Sequence, residues 1–207
     1  MLRILGKRQS INVRKVLWTC DEIGLTYIQE DWGAGTRLTS EIDFMSLNPK
    51  ALVPVIVDDG AVLTESNTIV RFLAAKHRRL DLLPDAPLAR ARVEEMMDWQ
   101  ATEFNGAWRL AFQAITRRNP AVGSAEQVRQ SLAEWTAMLL LLEQRLVDSH
   151  PYICGETFSV ADIVVGLSVN RWFQSSIEGP ELPAARAYLD RLMQRPAAMP
   201  HLGGQTD

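Results

Sequence analysis

The sequence predicts an α/β domain followed by an all-α domain, and three observations carry that prediction. Short apolar runs alternate with a helical stretch and a turn signal over residues 1–76. A charged, proline-containing stretch at residues 77–87 reads as a linker. Residues 88–207 are then helical in pattern, with the long stretch 88–118 interrupted by no proline and by one glycine, Gly106.

Leu2, Arg3, Ile4 and Leu5 form a short, weakly alternating run that predicts a first strand. Val13, Val16, Leu17, Cys20 and Ile23 share one helical face, and Gly24 stops that helix. Tyr27, Ile28, Gln29 and Glu30 give a second strand, parallel to the first because a helix joins them. Residues 40–47 predict a short helix that ends before Asn48-Pro49. The run from Leu52 to Val57 is apolar and β-branched, and Asp58-Asp59-Gly60 turns it into a hairpin. Glu65-Ser66-Asn67 then opens an amphipathic helix. The order is βαβαββα, a thioredoxin-like arrangement.

In the second part, Val128, Leu132, Trp135, Leu139, Leu142 and Leu146 repeat at three-four spacing, the mark of a long packed helix. Ser159 with Asp162 is close to a capping box, with Phe158 and Ile163 placed as a hydrophobic staple. Residues 184–194 predict a last helix. The whole reads as a helical bundle.

Composition excludes several classes. The formal charge is −3, too mild to argue for nucleic acid or an anionic membrane. Residues 1–80 carry eleven Lys/Arg against nine Asp/Glu, so the first part is slightly basic. The longest apolar run, near residues 137–142, is far short of the roughly 20 residues a membrane span needs, and no secretory h-region is visible. Two distant cysteines, Cys20 and Cys154, form no CxxC, and no metal-ligand cluster stands out; a cytoplasmic setting and no metal are expected. His77, His150 and His201 form no catalytic set.

Val53-Pro54, Glu65-Ser66 and a hydroxyl at Ser10 between the first strand and first helix together resemble the cytosolic glutathione S-transferases of the serine type, theta- or zeta-like. The resemblance covers nearly the whole chain. It implies the glutathione transferase fold, with residues 1–76 binding glutathione and residues 88–207 carrying the hydrophobic substrate side. It also implies a cis bond before Pro54, with the Val53 backbone pairing with the cysteinyl part of glutathione. The tyrosine of the alpha, mu and pi types is missing, and so is the loop cysteine of the beta and omega types. Cys20 lies in phase with an apolar face and reads as core. Thr68 departs from the alanine common in relatives, at a position expected to point away from the ligand.

The residue types suit the implied roles. A helix start presents free N–H groups and a partial positive charge, so Ser66 suits the γ-glutamyl carboxylate. Glu65 offers a negative charge for the ligand's ammonium. Lys50 is a candidate for the glycyl carboxylate, or else a solvated surface lysine. The resemblance places Ser10 at the glutathione sulfur, and Asn12, an amide in the same loop, shares that role or replaces Ser10 in it. A free thiol with a pKa of about 8.5 is roughly 3% thiolate at pH 7, and lowering it by two units takes about 2.7 kcal/mol. A hydrogen bond to a charged group contributes about 1.5–3 kcal/mol and a helix N-terminus about 0.3–1 kcal/mol, which suffices.

Asp98 is the expected contact from a partner subunit to the ligand's amino group, in a homodimer. Phe104 and Trp108, within a stripe that includes Met97 and Phe112, are the candidates for an electrophile pocket, with core packing as the alternative. Glutathione is the expected co-substrate and a small hydrophobic electrophile its partner in conjugation, a detoxification chemistry. The alternatives are a glutathione-dependent isomerase, dehalogenase or peroxidase, or a non-catalytic protein that keeps the fold to bind other proteins. A thiol-disulfide reductase is disfavoured by the missing loop cysteine.

Overall fold

The computed structural model describes residues 1–119, 121–147, 151–175 and 177–203. His150 lies outside the described residues. The chain divides into two compact units, Met1–Pro84 and Asp85–Asp207. Residues 77–84 therefore belong with the first unit, where Leu82 and Leu83 are buried.

In the first unit β1 (Leu2–Leu5), α1 (Ile11–Ile23), β2 (Tyr27–Glu30), α2 (Ile42–Met45), β3 (Val55–Asp58), β4 (Ala61–Thr64) and α3 (Ser66–Lys76) follow in order. The sheet order is β2-β1-β3-β4. β1 pairs parallel with β2, and β3 pairs antiparallel with both β1 and β4. Asp59 and Gly60 both have positive φ, 50° and 85°, which is what a two-residue hairpin of type I′ demands. Alternation along the strands splits the core between the two faces. Ile4 and Ile56 pack with Val13, Val16, Leu17, Ile69 and Leu73, while Leu5 and Val55 pack with Trp32 and Phe44. Burial on α1 exceeds the predicted face: every residue from Ile11 to Cys20 except Asn12 is buried.

In the second unit the long helical stretch is not one α-helix. α4 (Pro87–Trp99) and α5 (Asn105–Ala111) are separated by a π-helical turn at Gln100–Phe104, and another follows at Phe112–Thr116. A physical cause is visible at the second. The Ser131 hydroxyl donates to the Ala107 carbonyl at 2.6 Å and accepts from the Ala111 N–H at 3.0 Å. It thus stands between two groups that would otherwise pair with each other, and such an insertion loosens the helical ladder just ahead of the turn.

Ser131 sits on α6 (Ala125–Val147), whose buried positions continue through Trp135, Leu139, Leu142 and Leu146. α7 (Val160–Gln174) is buried on nearly every side, and α8 (Pro183–Met193) and the short α9 (Met199–Leu202) complete the unit. The capping box at the start of α7 is complete. Asp162 accepts from the Ser159 N–H at 2.8 Å and hydroxyl at 3.0 Å. It also accepts from the Ile153 N–H at 2.9 Å and the Tyr188 hydroxyl at 3.0 Å.

Candidate active site

Three segments of the first unit meet at one place: the loop from β1 to α1, the loop before β3, and the start of α3. Gly6 makes the first meeting possible. Its φ is 142°, and a Cβ there would fall 2.5 Å from Val13 Cγ2 and 3.0 Å from Val53 Cβ. Only glycine allows that conformation and approach, so Gly6 lets the end of β1 lie against both α1 and Val53.

Ser10 is the residue before α1, with extended backbone and no capping hydrogen bond from its side chain. Its half-exposed hydroxyl is therefore not used as a helix cap. Asn12, half-exposed in the first turn, accepts a hydrogen bond at Oδ1 from the Ser66 hydroxyl at 3.3 Å. The two helix starts are thus joined by a direct polar contact.

The Val53–Pro54 bond is cis, as the resemblance implied. The loop ahead of it is tied by Asn48, whose Nδ2 donates to the Leu52 carbonyl at 2.7 Å and whose Oδ1 accepts from the Lys50 N–H at 3.2 Å. Glu65 holds φ 67° and ψ 109° directly before α3. A glutamate in such a conformation carries strain of order 1–3 kcal/mol, and strain of this kind clusters at ligand clamps. No residue-type signal in the sequence announces it.

The Lys50 ammonium donates to Glu65 Oε1 at 2.9 Å, both side chains being more than 60% exposed. The two residues expected at different ends of a tripeptide are thus paired with each other. Such an exposed pair is worth under about 1 kcal/mol, so either partner exchanges readily. Thr68 is exposed.

Arg14 is buried, and burial lowers its guanidinium to about 10, which leaves it charged at neutral pH. Burial disfavours the thiolate form of both cysteines. Burial, with smaller contributions from Asp21 and Asp58, pushes Cys20 up to about 12, and burial aided by Asp162 does the same to Cys154.

In the second unit Asp98 is exposed and lines a groove with Glu95, Trp99, Thr102, Glu103 and Arg145. Phe104 and Trp108 are core residues rather than open walls. Phe104 is fully buried against Trp99, 5.0 Å between ring centroids. Trp108 is 7% exposed and packs against Phe112 and Trp135, with the Arg171 guanidinium 4.2 Å over its ring. Residues four apart share one helix face, and here that face points inward.

Two family models match the chain: "Glutathione S-transferase, N-terminal domain" over residues 9–76 and "Glutathione S-transferase, C-terminal domain" over residues 101–196. Glutathione S-transferase GstB of Escherichia coli K12 is 32% identical over 199 residues, 95% of each chain. Glutathione S-transferase 3 of Zea mays is 31% identical, over 78% of this chain and 73% of its own. Among solved structures, a theta class glutathione S-transferase from Xanthomonas axonopodis pv. citri, with glutathione bound, superposes with a TM-score of 0.92. It is 34% identical and the match covers 100% of this chain and 99% of that one. By its sequence over both domains and by its fold, the chain belongs to the glutathione S-transferase family.

Proposed function

We propose that this glutathione transferase binds reduced glutathione along the junction of α1, α3 and the loop before Pro54. It holds the sulfur there as thiolate and adds it to a small hydrophobic electrophile. The observation that carries this reading is the Asn12–Ser66 hydrogen bond, because it joins the sulfur loop and the carboxylate-holding helix start within one unit.

Ser66 and the first N–H groups of α3 receive the γ-glutamyl carboxylate, where unpaired N–H groups and the helix dipole favour an anion. The Glu65 carboxylate takes the adjacent ammonium. The Val53 backbone pairs with the cysteinyl unit in the manner of an added strand, beside Pro54. Lys50 exchanges Glu65 for the glycyl carboxylate. The sulfur then lies at the start of α1. Ser10 donates to it, or Asn12 does so through Nδ2, since its Oδ1 already accepts from Ser66. Neither residue acts as a base; each stabilises the thiolate, which is the nucleophile.

On the electrophile side Trp108 retains a little exposed surface and Phe104 none, so Phe104 acts through packing. The protein works as a homodimer in which Asp98 of one subunit approaches the glutathione of the other. The setting is cytoplasmic; no helix among the described residues is long and apolar enough to cross a membrane.

The test is the ultraviolet absorbance of the thiolate in the complex, followed against pH. The reading predicts an apparent pKa about two units below the free value of about 8.5. A bound thiol that titrates like free glutathione contradicts it. Light scattering at micromolar concentration should give the dimer mass; a monomer contradicts that part alone.

A further inference from the structure

One buried charge in the first unit has no part in the scheme above. Lys15, on α1, is 2% exposed. Among its contacts, Nζ donates to Asn67 Oδ1 at 3.1 Å, and Asn67 is itself only 8% exposed. Asn67 is the second residue of α3 and follows Ser66 directly. Lys15 is one helical turn along α1 from Asn12. The seam between the two helix starts therefore has two polar rungs: Asn12 to Ser66 near the loop, and Lys15 to Asn67 just inside it.

A lysine is an odd choice for such a place. Its ammonium is strongly hydrated in water, and an apolar side chain of similar volume would fill a helix seam without the cost of burying a charge. What the ammonium adds is a positive potential inside the first unit, beside the first turn of α3. That turn already carries the partial positive charge of the helix N-terminus, and the low dielectric around a buried group makes its field reach further than in water.

We infer that Lys15 is an electrostatic positioning residue for glutathione: without touching the ligand, its buried charge strengthens the capture of the γ-glutamyl carboxylate at the start of α3. This rests on the proposed glutathione site and adds a determinant of ligand class to it, a preference for peptides that carry a carboxylate at that end.

The experiment measures binding by calorimetry to the full chain and to Lys15→Met, Lys15→Arg and Asn67→Asp. The ligands are reduced glutathione and γ-aminobutyryl-cysteinyl-glycine, which is glutathione without that carboxylate. Thermal melts accompany each variant. Lys15→Met should weaken glutathione at least tenfold and leave the weaker analogue unchanged, and Lys15→Arg should restore glutathione binding to within about threefold.

Asn67→Asp is nearly isosteric and sets a negative charge against Lys15, so it should also weaken glutathione selectively, and it serves if Lys15→Met does not fold. A purely structural lysine predicts otherwise: equal losses for both ligands with Lys15→Met, or no loss with Asn67→Asp. Either result overturns the inference while leaving the glutathione site intact. Failure of the unmodified chain to bind glutathione would instead overturn the site itself.

Discussion

The Ser66 hydroxyl donates to the Asn12 side-chain carbonyl at 3.3 Å, so the first residue of α3 and the second residue of α1 hold each other. This contact separates two roles that are easily confused. On the proposed site Ser66 holds one end of the ligand, and Ser10 and Asn12 lie near its reactive centre. Ser66→Ala should weaken glutathione binding about ten- to a hundredfold, the range expected for a hydrogen bond to a charged group worth about 1.5–3 kcal/mol. Ser10→Ala should leave binding within about threefold but raise the bound thiol pKa and lower turnover. If turnover survives Ser10→Ala and is lost in Asn12→Ala, the sulfur is held by Asn12. Binding constants and pH–rate profiles for the three variants decide this.

Glu65 carries both a charge and a strained backbone. Glu65→Gly should relieve the strain, leaving the melting temperature equal to or above that of the unmodified chain, and still lose glutathione affinity at least tenfold. Glu65→Gln should lose affinity with little change in melting. A loss of stability in Glu65→Gly, measured by calorimetric unfolding, would mean that the glutamate side chain holds the fold rather than the ligand.

Asp162 ties together Ile153, the start of α7 and Tyr188 of α8 in the second unit. It is fully buried with four donors around it, and burial raises its carboxyl to about 6, against about 3.9 in an unfolded chain. The folded state therefore binds the extra proton between about pH 4 and 6. The group's contribution to stability is fully present below pH 4, declines through that window by up to about 3 kcal/mol, and is flat above it. Asp162→Asn should be less stable at every pH, because one amide oxygen cannot serve the donors that two carboxylate oxygens do. It should also lack this slope. Denaturant unfolding of both proteins from pH 4 to 8 measures the difference.

Cys20 and Cys154, both pushed up to about 12, should be almost entirely thiol at neutral pH. A thiol-specific reagent should label neither in the folded protein within minutes, and both on addition of denaturant. Rapid native labelling of either would overturn the reading that no protein thiol takes part in the chemistry.

Much of this was legible in the sequence because it rests on local rules. Strand alternation, the Asp59-Gly60 turn and the Ser159–Asp162 box each need only a few neighbouring residues, and each appears where those residues stand. The second π-helical turn was not legible, since Ser131 acts on Ala107 and Ala111 from a different helix. Nothing local in the sequence reveals that Lys15 is buried, because the covering of α1 on nearly all sides is set by distant residues. The stripe through Phe104 and Trp108 has the spacing of a helix face, and spacing alone cannot say whether that face meets a ligand or the core. The Glu65 backbone is set by its surroundings, against its own preference.

The central claim is that the junction of α1 and α3 is a glutathione site anchored at Ser66. Calorimetric titration of the unmodified chain and of Ser66→Ala with reduced glutathione tests it most directly. The account predicts saturable binding with one site per chain, weakened at least tenfold in the variant while its melting temperature holds. Equal binding by the two proteins, or none by the unmodified chain, would contradict it.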